Sequence, residues 1–207
     1  MARKLKEYPE ATLKIEDSNG KIDFGRLFGR SGVVHVEIGC GKGTFLVEQA
    51  KAEPEALFLG VERANKYYRH AVDRIGRWGL GNVRIVRAEA GKLVERYLEA
   101  QSVDWYHIYF PDPWPKRRHH KRRFLCQANL EHMIRTLRPG GRVQVATDFA
   151  EYFKEIKALL ATNGPVLKPV EFIGTAGAAE GEYVGTNYER KYVRQKRRVY
   201  RLAVKKI

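Results

Sequence analysis

The feature that most constrains this chain is the run Gly39-Cys40-Gly41-Lys42-Gly43. It lies between a short apolar run, Val33 to Ile38, and the start of a helical pattern. Glycines in such a turn adopt positive φ and let a ligand approach the backbone. An apolar run, a tight glycine turn and a helix start together open a strand-turn-helix unit of a parallel sheet.

The same alternation continues downstream. Leu57 to Glu62 reads as a second buried strand. Between Ala64 and Leu80, apolar residues fall at Tyr67, Ala71, Val72, Ile75 and Trp78, the spacing of an amphipathic helix. On that reading Tyr67 and Tyr68 lie on its packed face. Val83 to Arg87 reads as a third strand, Leu93 to Leu98 as part of a short helix, and Val103 to Phe110 as a fourth strand stopped by Pro111 and Pro113. Phe124 to Leu137 is helical in pattern and ends before Pro139-Gly140-Gly141. Arg142 to Thr147 reads as a fifth strand and Phe149 to Ala161 as a helix. Val170 to Ile173 and Val199 to Val204 read as two further strands, separated by a glycine-rich loop from Gly174 to Gly185. Right-handed crossovers make such a series a doubly wound, mostly parallel sheet with helices on both faces. Here it closes with an antiparallel C-terminal hairpin. Ligands of such sheets bind at the carboxyl ends of the strands. The length of 207 residues suits one domain of this kind. We expect an N-terminal segment over 1–30 and the α/β domain over 31–207.

Net charge is +15, and two segments carry all of it. Residues 116–123 hold six cations and no acid. Residues 190–206 hold nine: Arg190, Lys191, Arg194, Lys196, Arg197, Arg198, Arg201, Lys205 and Lys206. A merely solvated face would mix both signs, so the pattern predicts a polyanionic partner. Arg117, Arg118, Lys121, Arg122 and Arg123 are the expected contacts to a nucleic-acid backbone. His119 and His120 are expected to join them. No run approaches the ~18 apolar residues of a membrane span, and the charged start, Met1 to Glu10, lacks an apolar stretch. No membrane partner and a reducing cytoplasm are therefore expected. Both cysteines, Cys40 and Cys126, are read as small buried thiols. No Cys/His spacing suggests a metal. The assembly is left open between monomer and homodimer.

The glycine spacing is G-x-G-x-G rather than the pyrophosphate-binding G-x-G-x-x-G, and Glu37 stands two residues before Gly39. That combination resembles the cofactor loop of S-adenosylmethionine-dependent methyltransferases. Glu62, ending the second strand, suits two ribose hydroxyls, since a carboxylate accepts both hydrogen bonds. Glu89, after the third strand, is placed to reach an adenine edge. After the fourth strand, Pro111-Asp112-Pro113-Trp114-Pro115 forms a stiffened loop with a fixed carboxylate, Asp112. An indole, Trp114, is suited to stacking on a base. Tyr188 is a second candidate for stacking. His35 and His107 lie in strands and read as core residues.

Beyond these loops, the chain resembles the bacterial tRNA (guanine-N7-)-methyltransferases over nearly its whole length. The matching pieces are Glu37 to Gly43, Gly60-Val61-Glu62, Phe110 to Trp114 with Lys116 and Lys121-Arg122-Arg123, Leu137 to Gly141, Thr147-Asp148, and Thr186 to Lys191. The resemblance implies a Rossmann-like fold and S-adenosyl-L-methionine as cofactor. Its contacts would be Glu37, Gly39, Gly41, Glu62, Glu89 and Asp112. It implies Asp112 as the catalytic acid position and Lys116, Asp148, Thr186, Asn187, Tyr188 and Glu189 as substrate contacts. The implied substrate is tRNA at guanosine 46 of the variable loop. Two alternatives stay open: an exocyclic-amino methyltransferase on another RNA or DNA, suggested by the Pro-Asp-Pro-Trp loop, and a silent RNA-binding module on the same fold. Either Asp112 or Asp148 is suited to hold the guanine edge.

Overall fold

The computed structural model describes residues 4–15 and 20–207; residues 1–3 and 16–19 of the N-terminal segment lie outside it. A single eight-stranded sheet runs in the order β1-β4-β3-β2-β5-β6-β8-β7. Its strands are β1 (Thr12–Leu13), β2 (Val34–Ile38), β3 (Leu57–Val61), β4 (Val83–Val86), β5 (Val103–Tyr109), β6 (Leu137–Thr147), β7 (Leu167–Val170) and β8 (Tyr200–Lys206). The first six pair in parallel, and β8 runs antiparallel between β6 and β7.

Strand interiors are apolar on both sides because both faces are covered. Val34, Val36, Ile38, Leu57, Leu59, Val61, Tyr106 and Ile108 point to one face. There they meet α1 (Phe24–Phe28), α4 (Ala90–Arg96), α5 (Gln127–Thr136) and α6 (Ala150–Thr162). Phe58, Val83 and Ile85 point to the other face, under α2 (Thr44–Ala52) and α3 (Asn65–Arg77). Gly60 lets α2 approach: a Cβ there would lie 2.4 Å from Leu46 and 2.7 Å from Ile85. The N-terminal segment contributes β1 and the buried Ile22 and Phe24. No helix among the described residues is long and apolar enough to cross a membrane.

Several elements differ from the sequence reading. β6 starts at Leu137 rather than Arg142, with an irregular register against β5 between Val103 and Trp105. β7 covers 167–170, not 170–173. Beyond Val170 the Gln144 side chain replaces strand pairing: its Oε1 accepts from the Ile173 N–H at 2.7 Å and its Nε2 donates to the Ile173 carbonyl at 3.2 Å. A helix, α7 (Asn187–Arg194), follows the glycine-rich loop. Trp78 caps α3 with its ring exposed, Lys51 Nζ lying 3.2 Å above it. Tyr67 is exposed rather than packed, and Cys126 is exposed at the start of α5.

Strand order reverses around β2. The chain steps outward through β3 and β4, then returns to lay β5 on the other side of β2. The crevice at such a reversal, at the carboxyl ends of the strands, is where these sheets bind ligands. Ile38 pairs with Ile108 in register. The Gly39 turn and the Pro-Asp-Pro-Trp loop therefore leave adjacent strands side by side.

Candidate active site

The glycine turn is tied to its neighbour strand. Gly39 N and Cys40 N donate to the Val61 carbonyl at 2.8 and 3.0 Å. Gly39 and Gly41 have φ of +73° and +55°, and a Cβ on either would meet nothing within 4 Å. The turn thus presents an open backbone surface. Glu62 holds it from below, accepting from Gly41 N at 2.9 Å and Ala64 N at 2.7 Å, one bond to each oxygen. A carboxylate has about four acceptor positions, so Glu62 keeps acceptor capacity for a diol.

Glu37 is buried beneath the turn, and its Oε2 has no hydrogen-bond partner. Burial, and then the Glu62 charge, push its carboxyl up to about 8. A buried carboxylate held so far above its ordinary range calls for a cation or a donor. Cys40 beside it is raised too, by burial first and then by Glu37 and Glu62. Its thiol stays protonated and inert. An orphaned buried carboxyl, a diol-accepting carboxylate and an uncovered turn together fit a nucleoside carrying positive charge.

Asp112 sits exposed in the loop after β5. Two bulky residues flank it in the left-handed region, Phe110 at φ +50° and Trp114 at φ +44°. Strain of that kind costs roughly 1–3 kcal/mol per residue and persists only where surroundings enforce it. At Phe110 the backbone N–H donates to the Ala146 carbonyl at 2.7 Å, and at Trp114 the enforcing group is Arg123. It is buried and donates from Nε to the Pro113 carbonyl at 2.8 Å and from Nη2 to the Trp114 carbonyl at 3.5 Å. Its Nη1 pairs with Glu155 on α6. Arg123 therefore braces the loop, correcting its reading as a backbone contact for nucleic acid. His120 also turns inward, 3.8 Å from Glu155 and 3.9 Å from Glu151. One face of Trp114 is covered by the Arg122 guanidinium at 4.9 Å, and His119 meets its edge. Lys116, Arg117, Arg118 and Lys121 are exposed and carry no ion pair among the described residues.

The C-terminal motif makes local contacts that hold its own loop and helix. Thr186 caps α7, accepting from Glu189 N at 3.1 Å. Glu189, 1% exposed, accepts from the N–H groups of Tyr183, Val184 and Gly185 at 2.9, 2.8 and 2.8 Å. The Thr186 half is that of a capping box, while the Glu189 carboxylate reaches past the N-cap and fastens the glycine-rich loop. Thr186 and Glu189 are thus turned into the fold in the free protein. The Thr-x-x-Glu spacing was the available signal. Asn187 and Tyr188 are exposed on α7. Tyr188 and Tyr192, one turn apart, pack on Phe110 with ring centroids 6.3 and 5.5 Å away. Burial, then Tyr67, Asp112 and Glu62, raise the Tyr188 phenol. The sequence reading placed Tyr67 on a packed face and Arg197 only among the nine C-terminal cations, and it did not single out Tyr192. Asp148, just past β6, is ion-paired with Arg197. Glu89 caps α4, accepting from Gly91 N and Lys92 N at 2.9 Å each, and is exposed.

A row of buried polar groups crosses the sheet beneath α2. His35 Nδ1 lies 2.9 Å from His107 Nε2, and His107 Nδ1 lies 2.8 Å from the Tyr109 hydroxyl. Gln144 Nε2 reaches that hydroxyl at 3.3 Å, and His35 Nε2 faces Glu53 at 3.5 Å. One direction uses every polar hydrogen. Gln144 donates to Tyr109, Tyr109 to His107 Nδ1, His107 Nε2–H to His35 Nδ1, and His35 Nε2–H points at the Glu53 carboxylate. Burial keeps both imidazoles neutral, lowering His35 to about 4. The row fixes the Gln144 amide that anchors Ile173 at the start of the glycine-rich loop. A cavity of about 520 Å³ beside His35, Glu53 and Trp105 lies at the opposite, amino-terminal end of β2.

β8 corrects the reading of the basic tail. Tyr200 pairs with Thr147 at the crevice end, but Lys205 pairs with Arg142 at the far end, about 17 Å away at ~3.4 Å per residue. Lys206 Nζ donates to the carbonyls of Ile134 and Leu137. Only the part of 190–206 up to about Arg201 lies near the crevice.

Comparison with known proteins places this arrangement. The family described as "Putative methyltransferase" matches residues 31–202. A tRNA (guanine-N(7)-)-methyltransferase of Nitrosococcus oceani is 38% identical over 149 residues, covering 72% of this chain and 63% of that protein. One of Alkalilimnicola ehrlichii is 32% identical over 203 residues, covering 96% of this chain and 83% of that protein. This chain thus spans less than two thirds of the Nitrosococcus relative and most of the Alkalilimnicola one. The crystal structure of the 16S rRNA methyltransferase KamB superposes with a TM-score of 0.61 at 18% identity, covering 88% of this chain and 91% of that one. At that identity the likeness is one of fold.

Proposed function

Since the chain belongs to the tRNA (guanine-N7-)-methyltransferase family, we propose that it transfers a methyl group from S-adenosyl-L-methionine to N7 of guanosine 46 in tRNA. The observation that carries this reading is the pairing of Glu37 and the open Gly39–Gly41 turn with the braced Asp112 loop on the next strand.

S-adenosylmethionine supplies, when bound, a methyl group activated on a positively charged sulfur. Glu37 would hold its charged amino-acid end above the open Gly39–Gly41 turn. Glu62 accepts from its ribose, and the outer lone pairs of Glu89 remain for its adenine amine. Guanine N7 carries a lone pair and no proton, so no general base is required, unlike at an exocyclic amine. The chain's contribution is alignment and electrostatics. Asp112, fixed by Arg123 through the loop carbonyls, faces the positive charge that develops on the purine. Asp148 accepts from the guanine N1–H and N2 amino group. Tyr188 and Asn187, at the mouth, receive the base, which leaves its stack at a cost of roughly a few kcal/mol. Lys116, Arg117, Arg118, Lys121 and Arg122 hold phosphates and set register without reading sequence. A tRNA substrate implies action in the cytoplasm, as monomer or homodimer.

Incubation with methyl-labelled S-adenosylmethionine and unmodified tRNA tests the reading. N7-methylguanosine makes its strand labile to borohydride and aniline, so scission is expected at position 46, with the labelled methyl released on the excised base. Label that resists scission would mean exocyclic transfer. Absence of label would leave an RNA-binding module.

A further inference from the structure

Asp148 is assigned above to the guanine edge, yet in the free protein its carboxylate is taken by Arg197. The contact is built by the local fold. α7 ends in a Schellman turn: Arg197 N donates to the Tyr192 carbonyl and Lys196 N to the Val193 carbonyl, both at 2.9 Å. Lys196 occupies the left-handed position of that turn, φ +52°, where glycine is the usual residue. The turn folds Arg197 back over Tyr192, its guanidinium 4.4 Å above the ring. From there it reaches Asp148. Tyr192 in turn packs on Phe110, two residues before Asp112. One guanidinium therefore links the helix over the mouth, the base-edge carboxylate and the catalytic loop.

The two partners differ in exposure: the Asp148 side chain is 14% exposed and that of Arg197 46%. A half-exposed guanidinium pairs weakly and is open to competition, and a phosphate, which it grips with two parallel hydrogen bonds, is a strong competitor. Neighbouring Lys191, Arg194, Lys196 and Arg198 carry no ion pair among the described residues and draw a polyanion to this place.

We infer that Arg197 is a positioning residue that couples RNA docking to base capture. In the free enzyme it neutralises Asp148. In the complex it passes to a phosphate of the substrate, and the released carboxylate accepts from N1–H and the N2 amino group of the target guanine. The exchange rests on the reading of Asp148 given under the proposed function. Each partner trades one charge-assisted contact for another, and no proton moves.

The test compares the wild type with Arg197→Gln, Arg197→Lys, Asp148→Asn and the Arg197→Gln/Asp148→Asn double variant. Three readouts are used: thermal unfolding, the salt dependence of binding to a tRNA transcript, and kcat/KM for methyl transfer to it. In unfolding of the free protein the two single changes are expected to be non-additive, because the pair exists there. In kcat/KM, which is referred to the free enzyme, they are expected to be non-additive in the opposite sense, because the pair present in the free enzyme is open in the transition state. The log–log salt slope is expected to lose a little under one unit in Arg197→Gln and to be restored in Arg197→Lys. An unchanged slope in Arg197→Gln, or additive effects of the two changes in kcat/KM, makes the pair merely structural and overturns the inference alone. Asp148→Asn with wild-type kcat/KM overturns the base-capture step and so the exchange. A wild-type protein that transfers no methyl group to tRNA overturns the parent reading along with it.

Discussion

Glu189→Ala is expected to release the glycine-rich loop while leaving the sheet intact. The Glu189 carboxylate accepts from three consecutive amides, those of Tyr183, Val184 and Gly185. A buried donor left without an acceptor costs about 1–3 kcal/mol. Water entering the detached loop offsets part of the sum, leaving an expected loss of about 3–5 kcal/mol. Burial of Val184, the loop's one residue in the second core cluster, returns only about 1.5–3 kcal/mol. The loop should therefore open locally rather than carry the whole domain with it. Amide hydrogen exchange reads this directly. Protection over 183–185 should fall by about two to three and a half decades, at ~1.4 kcal/mol per decade, while β2, β5 and β6 keep theirs. Glu189→Gln retains an acceptor oxygen for two amides and sets its NH₂ against the third, so a loss of about 1–2 kcal/mol is expected. Full protection at 183–185 in Glu189→Ala, with methyl transfer abolished, would refute the reasoning. The carboxylate would then act on substrate, as the family resemblance alone implies.

Three further outcomes follow from the structure. Glu37, raised to about 8 from an ordinary 4.5, binds a proton in the folded state that the unfolded chain has already lost; stability of the free protein should decline from about pH 4.5 to pH 8, and Glu37→Gln, or a bound cationic ligand, should flatten that limb of a Tm–pH profile. Lys196→Gly should relieve the left-handed strain at the end of α7 and raise stability by about 0.5–1 kcal/mol, seen as roughly 2 °C in Tm; a lowered Tm would contradict the Schellman geometry. Reversal of Arg117, Arg118, Lys121 and Arg122 to Glu should weaken tRNA binding and flatten its salt slope with the circular dichroism spectrum unchanged, whereas Lys205→Glu, at the far end of β8, should leave binding near wild type.

Much of this was legible without coordinates, for identifiable reasons. Strands buried on both faces read as unbroken apolar runs, so β2, β3 and β5 fell close to their observed limits. The glycine turn and the Pro-Asp-Pro-Trp loop declared themselves by chemistry. What escaped depends on tertiary placement. Arg123 looks like its neighbours in the basic run, yet the short 3-10 helix over Arg117–Arg122 turns it inward onto Glu155. Lys205 and Lys206 share a segment with Arg197, but the antiparallel course of β8 carries them to the other end of the sheet. Tyr67 keeps a helical spacing with Ala71 and still faces solvent, because α3 packs through Ala71, Val72 and Ile75. Thr186 and Glu189 were visible as a pair; reading them as a substrate signature hid their capping-box spacing.

The central claim is that a nucleoside methyl donor lodges on the turn that begins at Gly39, aimed across the strand ends at Asp112. A crystal structure with S-adenosylhomocysteine tests it most directly. The account predicts the ribose hydroxyls on Glu62, the amino-acid end beside Glu37 and the sulfur facing the Asp112 loop. Density for the ligand at the opposite end of the sheet, in the cavity beside His35 and Trp105, would contradict it. So would side chains filling the crevice above Gly39 and Gly41.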